Sequence, residues 1–165
     1  MIKPQPIIIL MADDDEDDIL LTQKALQKGK LLNTLYSVQD GEELLDYLFQ
    51  RGAYSDPATS PRPGLVLLDL NMPKKDGREA LKEIKSNADL RDIPIVVFTT
   101  SKAEEDIYRS YQLGVNSFIT KPVTFENMIE VMQALGKYWF EVVTLPADAK
   151  KGTYADTPTD ENSSH

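Results

Sequence analysis

Five short apolar runs punctuate the chain, at residues 7–12, 34–38, 65–70, 94–99 and 117–120. Most are nearly continuous in Ile, Val and Leu, which is the pattern of strands covered on both faces in a parallel sheet. The run at 34–38 is weaker and reads as an edge strand. Helical spacing separates the runs. Residues 18–29 carry Ile19, Leu21, Ala25 and Leu26, and residues 42–50 carry Leu44, Leu45, Leu48 and Phe49. Residues 77–87 carry Leu81 and Ile84. Residues 124–143 place Phe125, Met128, Ile129, Met132, Leu135 and Trp139 at intervals of three and four. Ser101 and Glu104 have the spacing of a capping box ahead of a helix over 102–113. The β–α alternation, repeated five times, predicts one doubly wound α/β domain with five helices.

Two segments stand outside this rhythm. Residues 51–64, RGAYSDPATSPRPG, form a long Pro/Ser/Ala loop before the third strand. From residue 147 to 165 the chain is polar and small, so we expect a folded domain over 1–146 followed by a disordered tail.

The apolar runs end in polar side chains. Asp13 and Asp14 follow the first, Asp69 lies near the end of the third, Thr99 closes the fourth and Lys121 follows the fifth. In an open parallel sheet, ligands sit beyond the carboxyl ends of the strands, and in the order 2-1-3-4-5 the first and third strands are neighbours. Asp13, Asp14 and Asp69 are then expected to converge. Unpaired, they would repel, and a hard divalent cation removes that difficulty. A calcium EF-hand does not fit, because its glycine and terminal glutamate positions hold Asp18 and Lys24 and its flank is a strand. Asp15 to Asp18 read as acids of a helix's first turn. A hydroxyl and an ammonium beside a metal-bound aspartate suit a phosphoryl group, with Asp69 as the nucleophile.

Charge and composition narrow the chemistry further. The chain has 18 basic and 27 acidic residues, a net charge of −9, which argues against sequence-independent binding to nucleic acid or an anionic membrane. It has no cysteine, which excludes disulfides and thiolate metal sites. The one histidine is His165, in the expected tail, so no phosphohistidine donor is evident, and no Walker-type loop for direct use of ATP is present. No apolar run approaches membrane-spanning length. We expect a cytoplasmic protein.

The motifs ADDD, LLDLNMPKKDG, VVFTTS and FITKP, in that order, resemble the receiver domains of two-component response regulators over roughly residues 6–145. The resemblance implies a flavodoxin-like (βα)5 fold with parallel strand order 2-1-3-4-5. It implies phosphorylation of Asp69 by a sensor histidine kinase, with Mg2+ held by Asp14, Asp69 and the Asn71 carbonyl and Asp13 assisting. It also implies that Thr99 and Lys121 contact the phosphoryl oxygens, that Phe118 is an aromatic switch coupled to Thr99, and that the Lys121–Pro122 bond is cis. Thr100, Asn71 and Ser101 stand where side chains tune water access. The loop at 51–64, the stretch TTSKAEEDI and the C-terminal YWFEVVTLP resemble single-domain regulators of the phytochrome-associated subgroup.

Such a protein is a timed switch, catalysing only its own phosphorylation and dephosphorylation, and not a metabolic enzyme. The segment after residue 146 is too short and polar for a DNA-binding module, so output is expected through protein contacts. Tyr108, Tyr111, Tyr138, Trp139 and Phe140 are candidate face residues, and a homodimer through the fourth helix, fifth strand and fifth helix would cover them. Trp139 could equally close the core. Two other readings stay open at this point. One is a haloacid dehalogenase-type magnesium-dependent phosphatase, whose Asp-x-Asp motif is here interrupted by Asn71. The other is a non-phosphorylated binding module, either a degenerate receiver or a flavin carrier.

Overall fold

The computed structural model describes residues 7–31 and 33–142. Strands β1 (Ile8–Ala12), β2 (Thr34–Val38), β3 (Leu65–Leu68), β4 (Ile95–Thr99) and β5 (Ser117–Thr120) alternate with helices α1 (Glu16–Lys28), α2 (Gly41–Phe49), α3 (Gly77–Ser86), α4 (Glu104–Leu113) and α5 (Phe125–Leu135). The strands are all parallel and lie in the order β2-β1-β3-β4-β5, as expected. The weak run became the β2 edge.

Each strand alternates its side chains between two cores. Leu10, Val66, Leu68 and Val97 pack with Leu44, Leu45 and Ile84 on one face. Ile9, Met11, Leu67 and Phe98 pack with Leu26 and Met132 on the other. Helices α2 and α3 therefore cover one side, and α1 and α5 the other. This double coverage is why the strand sequences read as unbroken apolar runs. Trp139 belongs to the second core, at 6% exposure, and is not a face residue. It lies in a π-helical continuation of α5, Gly136–Val142. The side chain of Phe140 and the polar tail lie outside the described residues.

Helix starts follow local chemistry. Asp15 caps α1 by accepting from the Asp17 N–H at 2.9 Å. Asp40 caps α2 by accepting from the Glu43 N–H at 2.8 Å, while the Glu43 carboxylate accepts from the Gln39 N–H at 2.6 Å. This reciprocal arrangement closes the entry to α2. Asp40→Ala is expected to lower the unfolding free energy by about 1 kcal/mol in urea titrations, and an unchanged midpoint would refute that.

The capping box expected at Ser101 and Glu104 does not form. The helix begins at Glu104 after Ala103, and no side chain caps it. The Ser101 hydroxyl instead donates to Asp106 at 2.7 Å, a tertiary demand that overrides the local motif. The loop over 51–64 contains a 3-10 turn, Gly52–Tyr54, and is pinned to α2. The Tyr47 hydroxyl donates to the Pro61 carbonyl at 2.8 Å, and the Gln50 amide donates to the Ser60 carbonyl at 3.1 Å. Every peptide bond of the described residues is trans, including Lys121–Pro122, contrary to expectation. An X-Pro bond takes either form at small cost.

Candidate functional site

Sheet register places the polar side chains together. Ala12 is level with Leu68, and the Asp69 N–H donates to the Ala12 carbonyl at 2.9 Å. Asp13 and Asp69 thus emerge side by side. Thr99 is level with Thr120, and the Lys121 N–H donates to the Thr99 carbonyl at 2.8 Å. The buried strands β1, β3 and β4 and the half-buried β5 carry these residues to one rim of the sheet.

There, Asp69 is held on both oxygens. The buried Thr99 hydroxyl donates to Oδ1 at 2.7 Å, and the Asn71 N–H donates to the same atom at 3.1 Å. Lys121 Nζ lies 3.0 Å from Oδ2. The same ammonium lies 2.6 Å from Asp13 Oδ2 and 2.7 Å from Asp18 Oδ2. Burial works against the lysine's charge, yet the carboxylates of Asp13 and Asp18 outweigh it and hold the ammonium above the ordinary lysine range.

Asp13 is in the opposite situation. Burial pushes its carboxyl up to about 6, although Lys121 and the Asp15 N–H pull it down. Its Oδ2 is buried and, despite the close ammonium, has no aligned hydrogen bond among the described residues. Asp13, Asp14 and Asp69 each offer a carboxylate oxygen within 4.8 Å of the others. Three convergent carboxylates, an all-oxygen donor set facing a single ammonium, fit a hard divalent cation such as Mg2+ or Mn2+.

The response regulator receiver domain family model matches residues 9–133. The chain belongs to that family. The receiver is similar to response regulator Rcp1 of Synechocystis sp., with 44% identity over 142 residues, covering 86% of this chain and 95% of Rcp1. Among solved structures it resembles the phosphorylated cyanobacterial phytochrome response regulator RcpA, with a TM-score of 0.79 and 42% identity over 86% of this chain and 99% of that one. The Mn2+-bound form of Rcp1 gives a TM-score of 0.77 and 44% identity, again over 86% and 99%.

The receiver brings together all of Asp13, Asp14, Asp69, Thr99 and Lys121. Asn71 follows Asp69 with its own side chain exposed. Phe118 is half-buried on β5, packed against the α2–α3 core, and its N–H donates to the Tyr111 hydroxyl at 3.1 Å. Two features escaped the sequence. Asp18, read as a helix-end acid, reaches Lys121 from α1. Arg78, on α3, grips Asp106 of α4 with two hydrogen bonds of 2.7 Å. Its Nη1 donates to the Leu70 carbonyl at 3.3 Å, and Nη2, besides bonding Asp106, reaches Asn71 Oδ1 at 3.4 Å. Helical amphipathicity gives no sign of either pairing.

The Arg78–Asp106 pair has a pH signature. The guanidinium, aided by the Ser101 hydroxyl, holds the Asp106 carboxyl down at about 2 against an ordinary value of 3.8. A depressed carboxyl stabilises the fold above its unfolded value and loses that contribution as pH falls through its folded value. The stability gap between the parent and Asp106→Asn is therefore expected to be full above 3.8 and to close as pH falls toward about 2. Denaturant titrations at stepped pH measure it, and a pH-independent gap would contradict it.

Proposed function

We propose that Asp69 accepts a phosphoryl group from a phosphohistidine on a sensor histidine kinase, in a magnesium-dependent reaction, and that the modified protein signals through protein contacts. The observation that carries this reading is the placement of Asp69. Its carboxylate is met by a buried hydroxyl and a buried ammonium, beside two further acids at the neighbouring strand end.

Asp14, Asp69 and the Asn71 carbonyl would hold Mg2+, with Asp13 assisting. When bound, the cation neutralises charge on the transferring group and on the carboxylates. An Asp69 oxygen attacks phosphorus as the bond from phosphorus to the imidazole nitrogen breaks. That nitrogen keeps the electron pair and takes a proton from solvent. Lys121 offsets charge on the phosphoryl oxygens, and Thr99 donates a hydrogen bond to one of them. The product carries about two negative charges in place of one. Thr99 then shifts toward the phosphoryl group and Phe118 turns inward, which repacks the face of α4, β5 and α5.

The similarity to RcpA and Rcp1 supports a phytochrome-type kinase as the donor. Tyr108 and Tyr111 on α4 are 67% and 50% exposed, which supports a homodimer through this face. Among the described residues no helix is long and apolar enough to cross a membrane, which suits a cytoplasmic partner.

Incubation with acetyl phosphate and Mg2+ tests the reading. Intact mass is expected to rise by one phosphoryl group in the parent and not in Asp69→Asn, and light scattering follows the oligomeric state. An unmodified parent, or equal labelling of Asp69→Asn, overturns the assignment.

A further inference from the structure

The Lys121 ammonium has three N–H donors and faces three carboxylates, and Asp18 is the one that the metal reading leaves unused. The acids that converge as candidate cation ligands are Asp13, Asp14 and Asp69. Asp18 is not among them. It sits in the first turn of α1, yet the capping there is done by Asp15. Asp17, its neighbour, is exposed. Asp18 is different, with a side chain that is 24% exposed and an Oδ2 that bonds Nζ at 2.7 Å, closer than Asp69 does at 3.0 Å. Its backbone carbonyl accepts from the buried Thr22 hydroxyl at 2.8 Å, a bond within α1 from the following turn.

We propose that Asp18 is a positioning residue for phosphoryl transfer, anchoring the Lys121 ammonium from α1 while the contacts to Asp13 and Asp69 are exchanged. The inference rests on Asp69 being the acceptor and deepens that reading. A cation drawing on Asp13 and a phosphoryl group arriving at Asp69 both compete for the carboxylate oxygens that now hold Lys121. The bond to Asp18 faces no such competition. It keeps the ammonium over the site when the other two partners change. A lysine has four side-chain torsions, and without a fixed partner its head would sample positions away from the incoming oxygens. Small displacements of a catalytic group carry large rate penalties, up to about a hundredfold for roughly 1 Å.

The test compares Asp18→Asn with Asp17→Asn in the full chain. Both remove one charge from the same helix turn, but only the first touches Lys121. With acetyl phosphate and saturating Mg2+, Asp18→Asn is expected to phosphorylate about tenfold more slowly than the parent, with an unchanged Mg2+ affinity. Asp17→Asn is expected to match the parent, and Asp18→Glu to recover part of the loss. A second readout needs no phosphorylation. In metal-free protein the Lys121 side-chain ammonium is expected to give an exchange-protected NMR signal in the parent and in Asp17→Asn, and to lose it in Asp18→Asn.

Equal rates and equal signals in Asp18→Asn and the parent overturn the proposal, because Asp18 is then only a helix-end acid. A parallel fall in Mg2+ affinity also overturns it, because Asp18 then acts on the cation. If the parent itself takes no phosphoryl group, the acceptor assignment fails instead, and the NMR comparison still decides whether Asp18 anchors Lys121.

Discussion

Lys121→Met is expected to lower the unfolding free energy of metal-free protein by about 3–5 kcal/mol, the cost of leaving buried charge without its partner. Lys121 Nζ is shared by Asp13, Asp18 and Asp69, and its side chain is only 6% exposed. Methionine fills similar volume, so packing loss is a minor part of the effect. Proton uptake limits the damage, because the Asp13 carboxyl already stands at about 6 and rises further once the ammonium is gone. The decisive feature is the response to cation. A ligand that binds only the folded state stabilises it by about 2.7 kcal/mol at a hundredfold excess over Kd. The variant lacks its own positive charge at the site, so added Mg2+ is expected to stabilise it more than it stabilises the parent. Urea titrations with and without Mg2+ measure both. A loss below about 1 kcal/mol in metal-free protein would mean that the three carboxylates do not depend on the lysine. Equal Mg2+ responses in the two proteins would mean that lysine and cation do not share the same acids.

The same residues show what a linear sequence reveals and what it hides. The strand ends were legible because burial on both faces makes a run of Ile, Val and Leu, and any polar residue that closes such a run is conspicuous. Asp13, Asp69, Thr99 and Lys121 were found in this way, and the parallel order then put them at one rim. Asp18 was not legible, because an acid in a helix's first turn has a sufficient local explanation. Its partner lies 103 residues away. Ser101 misled for the same reason. Its spacing to Glu104 satisfies a local motif, while its hydroxyl is claimed by Asp106 in a network centred on Arg78 of another helix. Trp139 was ambiguous because its helical spacing suits a core position and an exposed one equally. The packing of α5 against α1 resolves it. Local rules located the elements and the chemistry at their ends. The polar contacts between helices are set by tertiary geometry alone.

Gly77→Ala is expected to impair phosphoryl acceptance without touching any charged group of the site. Gly77 opens α3, and its N–H donates to the Leu70 carbonyl at 2.9 Å, folding the chain back on the segment that follows Asp69. A methyl group there would stand 2.2 Å from the Asp69 carbonyl oxygen and 2.7 Å from the Leu70 Cα. These are backbone atoms and cannot rotate away. Either the start of α3 withdraws or the Asp69 backbone shifts. Overpacking of this kind costs about 1–3 kcal/mol. The larger effect falls on geometry, because the Asp69 carboxylate must stay aligned with Thr99 Oγ1 and Lys121 Nζ. A displacement near 1 Å is expected to slow labelling by acetyl phosphate about a hundredfold. Gly29→Ala serves as the comparison, because its added methyl would meet Gln133 Cγ at 2.9 Å and the Ala25 carbonyl oxygen at 3.2 Å, a strain on the α1–α5 side and away from the residues of the rim. It is expected to label at the parental rate. If Gly77→Ala also labels at that rate while remaining folded, then Asp69 tolerates movement of its backbone, and catalysis would depend on charge at the rim and not on the fixed position of the acceptor.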